Sequence, residues 1–120
     1  MINADESLIN LDFLKNFTGN DSARMRKYIN MFLGSAPAEA ENIRKALAEQ
    51  NWEALRASAH SLRPQMTYMG MKSGENLLRQ IEDQVQGKIY PGEISAMVEQ
   101  FNSLFIAASK ELKEKLTQIE

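Results

Sequence analysis

The chain has 120 residues, 43% hydrophobic and 25% charged, with a net charge of −2. That is the size and composition of one globular domain with a single core, and it argues against disorder. A slightly acidic chain lacks the basic stripe that nucleic acid requires, and the absence of cysteine excludes disulfides, thiolate metal sites and cysteine nucleophiles.

The N-terminus, Met1-Ile2-Asn3-Ala4-Asp5-Glu6, is acidic and lacks the basic-then-apolar order of a signal peptide. The longest apolar run, Leu104 to Ala108, is far too short to span a bilayer. The expectation is a cytoplasmic protein with no membrane partner.

No stretch alternates apolar and polar residues, so strands are not indicated. Asn10 is placed to cap a short first helix, with Leu11, Leu14 and Phe17 on one side and Thr18-Gly19 ending it. Asp21 caps a second, in which Met25, Tyr28, Ile29, Phe32 and Leu33 recur at helical spacing. Gly34 closes or interrupts it, and Pro37 stands where a new helix could start. The stripe continues through Ala40, Ile43 and Leu47, leaving open whether residues 22–50 form one bent helix or two.

A further helix starts near Asn51-Trp52, and another follows Ser73 with Leu77, Leu78, Ile81 and Val85 inward and Gly87 as its stop. Tyr90-Pro91-Gly92 is a turn signal. A long last helix, about 93–118, carries a stripe from Ile94 to Ile119 and a solvated end, Lys110 to Lys115, with pairing such as Glu111–Lys115. The seven methionines fall mostly on or beside the stripes, as adaptable core filling. The fold class this predicts is all-α: an antiparallel four-helix bundle with a short additional N-terminal helix, one domain over 1–120.

The single histidine, His60, lies in the third helix. Leu55, Ala59, Leu62, Met66 and Met69 share a buried face there, and His60 falls roughly 140° from the centre of that stripe. An exposed histidine is ordinarily a bland surface residue. Here Arg56 and Arg63 flank it, can donate charge-assisted bonds to phosphate oxygens, and favour the neutral, nucleophilic imidazole.

The stretch Ala59-His60-Ser61-Leu62-Arg63-Pro64 with Gly70 resembles the signature of the histidine-containing phosphotransfer (HPt) family, Ala-His-x-Leu-Lys-Gly followed by a second glycine six residues later. Leu11 to Phe17 with Thr18-Gly19, Tyr28-Ile29-x-x-Phe32, Ala46-Leu47 to Asn51-Trp52, and Ile81-Glu82 resemble its framework, over about residues 8–86. The resemblance implies a carrier whose His60 accepts a phosphoryl group from an aspartyl phosphate on a receiver domain and passes it to a second receiver. Arg63 would stabilise the added charge, with Arg56 behind it. Glu82 would stand where some members place a glutamine that orients the histidine. Implied partners are response-regulator receivers or a hybrid sensor histidine kinase. The chain would be a monomer with no cofactor of its own, and Mg²⁺ would belong to the receiver.

Two positions depart from the pattern. Arg63 replaces lysine with a planar fork. Pro64 replaces glycine, removes the N–H that would bond the His60 carbonyl and crowds that carbonyl, so a kink is expected there rather than a helix end. Gly70 reads either as a small residue that eases partner access or as a helix C-cap.

Other readings fit less well. A kinase dimerisation helix carries an acid directly after its histidine, where Ser61 stands, and no nucleotide loop is present, so ATP-dependent kinase activity is not expected. A di-iron bundle needs Glu-x-x-His, and Ala57 occupies that position. Ser58 and Ser61 point to different helix faces, which leaves no serine paired to His60. The alternative that remains is an HPt-like bundle that binds receivers without being phosphorylated.

Overall fold

The computed structural model describes residues 7–119. Met1 to Glu6, the acidic start whose composition is unlike a signal peptide, lie outside the described residues. Five helices follow in order: α1 (Asp12–Thr18), α2 (Ser22–Ala48), α3 (Trp52–Tyr68), α4 (Lys72–Gln86) and α5 (Pro91–Gln118).

Local chemistry fixes most of the boundaries. The side chains of Asp21 and Asn51 accept the Arg24 and Ala54 N–H groups at 3.1 Å each, so α2 and α3 start with satisfied donors. Gly19 ends α1 in the left-handed region (φ 64°), and Pro91 opens α5, where a missing N–H costs nothing. At α1 the cap is displaced by one residue. Leu11 is the flanking residue, while Asn10 Oδ1 accepts the Asp12 N–H at 2.9 Å. Helix α4 begins at Lys72, so Ser73, expected to precede it, lies in its first turn.

Residues 22–48 form one helix, and neither Gly34 nor Pro37 interrupts it. A proline and a glycine in a helix interior cost about 3 and 1 kcal/mol. Against that, Met25, Ile29, Phe32, Ala36, Ala40, Ile43 and Ala46 form one continuous buried stripe. Each large apolar side chain contributes roughly 1.5–3 kcal/mol on burial, so the stripe outweighs both breakers. The same reasoning carries α3 through Pro64, with Leu55, Ala59, Leu62 and Met66 buried on its inner face.

The connections between α2, α3, α4 and α5 are three, three and four residues long, which makes successive helices antiparallel. Helix α3 packs between α2 and α4, and α5 closes the bundle against α4 and α2. The core runs along the middle, with Phe101, Ile29, Leu55, Leu62, Met66, Leu78, Ile81, Ile94 and Leu112 almost wholly enclosed. No helix among the described residues is long and apolar enough to cross a membrane.

One close approach ties the N-terminal segment to the bundle. Gly70 ends α3 at φ 66°, and a Cβ there would lie 1.8 Å from the Asn10 carbonyl oxygen. Glycine therefore serves both as a C-cap and as the space the incoming chain needs. Beside it Ile9 is buried, and the Leu8 N–H donates to Glu111 Oε1 at 2.9 Å. Ser7 also donates to Glu111, through its hydroxyl.

Phe17 does not face the core, although the sequence grouped it with Leu11 and Leu14. Leu14 and Thr18 fill the inward arc of this short helix, and the Thr18 hydroxyl is satisfied by the Leu14 carbonyl at 2.8 Å. Phe17 is left outside, among aromatic neighbours described below.

Candidate phosphotransfer site

Helical phase carries His60 to the outside of α3, and 70% of its side chain is exposed. Its ring is nonetheless held. Nδ1 lies 2.8 Å from Glu82 Oε1 on α4. A carboxylate only accepts, so the proton of the neutral ring sits on Nδ1 and the lone pair on Nε2 is free.

Glu82 is itself a buried acid, with 6% of its side chain exposed. Such a charge is costly unless it is paired and hydrogen-bonded. Its second oxygen accepts from Arg63 Nη1 at 2.7 Å, so one carboxylate binds the histidine and the arginine through separate oxygens. Arg63 also reaches Glu75, with Nη2 and Nε at 3.0 and 3.2 Å from Glu75 Oε1. Chiefly through the Glu82 hydrogen bond, the guanidinium is held above its ordinary range; partial burial opposes this and Glu75 reinforces it. Arg63 therefore stays charged at any working pH.

Four side chains thus form one connected chain: His60, Glu82, Arg63 and Glu75. Helix α3 supplies both nitrogen groups one turn apart, and α4 supplies both acids two turns apart. His60, Arg63, Pro64, Thr67 and Glu75 line a shallow hollow of about 230 Å³. Three of the five N–H donors of Arg63 are committed to acids. In the unphosphorylated protein its charge therefore balances Glu82 and Glu75.

The remaining sequence-derived candidates are spread out. Arg56 pairs with Glu53 at 3.3 Å and does not line the hollow at His60. Pro64 does line it, one turn after the histidine within an unbroken α3. Gly70 lies at the end of the helix against Asn10, away from the ring's immediate surroundings.

The sequence reading missed two features. One is Glu75, an acid that only the pairing of α3 with α4 brings to Arg63. The other is an exposed aromatic face on the opposite flank of α3. Phe13 stacks on Phe17 and Tyr68 at 6.1 and 5.5 Å between ring centres, and Phe17 meets Tyr28 edge-on at 5.5 Å. With Met31 and Gln65 these side chains line a groove of about 450 Å³ between α1, α2 and α3. Phe13, Phe17, Met31 and Tyr68 are all large apolar or aromatic residues left exposed. A contiguous patch of that kind marks an interaction surface more often than scattered exposed residues do. Among the described residues, no cluster of acids and histidine is arranged to hold a metal ion.

Comparison with known proteins agrees with this architecture. The family model of the Hpt domain matches residues 27–120. The chain belongs to that family of histidine phosphotransfer domains. The match runs to the end of α5, beyond the stretch whose motifs carried the sequence resemblance. Among solved structures, the HPT domain of an Hpt sensor hybrid histidine kinase from Shewanella superposes with a TM-score of 0.80. It is 18% identical, and the alignment covers 94% of this chain and 97% of that one. No curated protein gave a significant match. The family places the chain in two-component phosphorelay signalling.

Proposed function

We propose that His60 is the phosphoryl acceptor of this domain and that it reacts through Nε2. The observation that supports this is the 2.8 Å contact between His60 Nδ1 and buried Glu82 in an otherwise exposed ring. It commits one nitrogen to the protein and leaves the other to the partner.

The step balances without a proton leaving the ring. The Nε2 lone pair attacks phosphorus in an aspartyl phosphate of a receiver domain. The acyl O–P bond breaks, and the receiver's aspartate departs as a carboxylate. The phosphorylated ring keeps its Nδ1 proton and becomes cationic, and Glu82 faces that charge at hydrogen-bond distance. Onward transfer to a second receiver reverses the same bonds. Mg²⁺ and the groups that stabilise the transferring phosphoryl belong to the receiver. The domain acts as a monomeric cytoplasmic carrier, without ATP-dependent kinase activity or a cofactor of its own.

The receiver would dock across Pro64 onto the aromatic groove. Helix α3 joins the two: His60 and Pro64 line the hollow, and Gln65 and Tyr68, little more than a turn further on, line the groove. Buried aromatic contacts of this kind commonly dominate affinity at an interface.

The test is transfer of labelled phosphate from a phosphorylated receiver to the wild type and to His60→Gln. The expected result is acid-labile label on the wild type and none on the variant. Label that persists in His60→Gln would sink the assignment of His60. A wild type that binds receivers and never takes label would identify a binding-only bundle.

A further inference from the structure

Glu75 has no part in the reaction as described and touches the charged chain only through Arg63. Its placement is nevertheless specific. It sits in the first turn of α4, seven residues before Glu82, and therefore on the same face. Both acids reach the same guanidinium, one from each side.

A guanidinium facing a single carboxylate prefers to grip both of its oxygens with a planar fork. Here Arg63 takes only Oε2 of Glu82, because its Nε edge and second Nη are turned onto Glu75. Oε1 of Glu82 consequently remains for His60. Without Glu75, the fork would be free to rotate onto both oxygens of Glu82 and compete with the ring for Oε1.

We infer that Glu75 is a positioning residue: by holding the Arg63 fork aside, it keeps one oxygen of Glu82 bound to His60 Nδ1 and so fixes the histidine tautomer. The inference rests on the reading of His60 as the acceptor, since the tautomer decides which nitrogen can attack. It also ties the acid to the departure at position 63. A lysine ammonium is a point donor that cannot chelate a carboxylate as a planar fork, so a lysine there would need no such holder.

The test uses the unphosphorylated full chain. His60 is the only histidine, so the ring gives one unambiguous set of nitrogen resonances. At a pH where the ring is neutral, long-range proton–nitrogen NMR reads the ratio of Nδ1–H to Nε2–H tautomers directly. Glu75→Gln is expected to lower that ratio roughly tenfold, the value of one charge-assisted hydrogen bond weakened by competition. Glu75→Ala should lower it at least as far. Both should keep wild-type helix content by circular dichroism, because Glu75 is partly exposed at a helix start. In an Arg63→Lys background, Glu75→Gln should leave the ratio within about twofold, because the competing fork is gone.

An unchanged ratio in well-folded Glu75→Gln and Glu75→Ala overturns the inference. So does an equal fall in the Arg63→Lys background, which would show that Glu75 acts on the ring independently of the fork. No receiver or phosphate enters this measurement. Failure of the relay assignment would appear only in the labelling experiment with His60→Gln, and the two results separate cleanly.

Discussion

The two flanks of α3 are built on opposite principles. Towards α4 lies a chain of ionic hydrogen bonds, His60–Glu82–Arg63–Glu75, in which each group has a defined partner. Towards α1 and α2 lies an aromatic face, Phe13, Phe17, Tyr28 and Tyr68, held by stacking and open to solvent. The first flank is directional and, with His60 as the proposed acceptor, would set which nitrogen reacts. The second is adaptable and, as the proposed docking face, would set who can approach. On that reading one helix separates reactivity from recognition, which would let a carrier meet more than one receiver while keeping a single chemistry.

The separation can be broken most severely at Gly70. It is the joint where α3 ends and the N-terminal segment leading into α1 crosses. Gly70→Ala forces a Cβ into the Asn10 backbone and a non-glycine residue into positive φ. The expected loss is about 3 kcal/mol or more, read by urea denaturation. The damage should be one-sided: α1 and its two phenylalanines lose their seat while the ionic chain between α3 and α4 is untouched. Folded Gly70→Ala should still be labelled by phosphoramidate, a small donor that needs no docking surface, yet bind receivers poorly. A loss below about 1 kcal/mol would show that the crossing segment gives way easily.

A milder break removes only the stacked pair. Phe13→Ala combined with Tyr68→Ala should weaken receiver binding about tenfold or more, measured by calorimetry or fluorescence titration. Phosphoramidate labelling of His60 should stay within about twofold of wild type, since neither ring belongs to the ionic chain. Equal losses in both assays would mean that the flanks are coupled and the comparison is wrong.

What was legible in the sequence follows the same division. Position along one helix is a local property, so the outward phase of His60 could be read from Leu55, Ala59, Leu62 and Met66. The cap at Asp21 and the start of α3 near Asn51-Trp52 were equally plain, because each signal acts within three residues, whereas Tyr90-Pro91-Gly92 reads as a turn and Pro91 instead opens α5. Partnerships across helices were not. Glu75 meets Arg63 only because α3 and α4 fold back on a three-residue turn, and that reflection also brings Glu82 to His60. Glu82 entered the sequence reading by resemblance; Glu75 had no motif to announce it. Counting outward in both directions from Gly70 would have been a usable signal, since Arg63 lies seven residues before it and Glu75 five after. Phe17 was misplaced for another reason. A seven-residue helix seated at one end of a bundle has a narrow inward arc, and hydrophobicity alone does not say which residues occupy it.

Pro64 sits between the flanks, and its substitution gives the smallest expected effect and the sharpest one. Its ring interrupts the bond to the His60 carbonyl, yet α3 continues to Tyr68 because Leu62 and Met66 remain buried on the far side. Pro64→Gly restores the N–H while adding backbone entropy to the unfolded chain. The helix should therefore gain only about 1–2 kcal/mol. The Nδ1 contact to Glu82 depends on side chains of α3 and α4, so the tautomer ratio and phosphoramidate labelling should not change. Transfer from receivers should change by a few-fold, and by different factors for different receivers, because the compact ring that each must pass over is gone. If several receivers transfer phosphate to Pro64→Gly at their wild-type rates, docking does not cross this residue. The partner must then reach His60 from the α4 side, over Arg63 and Glu75, and the charged flank would govern recognition as well as reactivity.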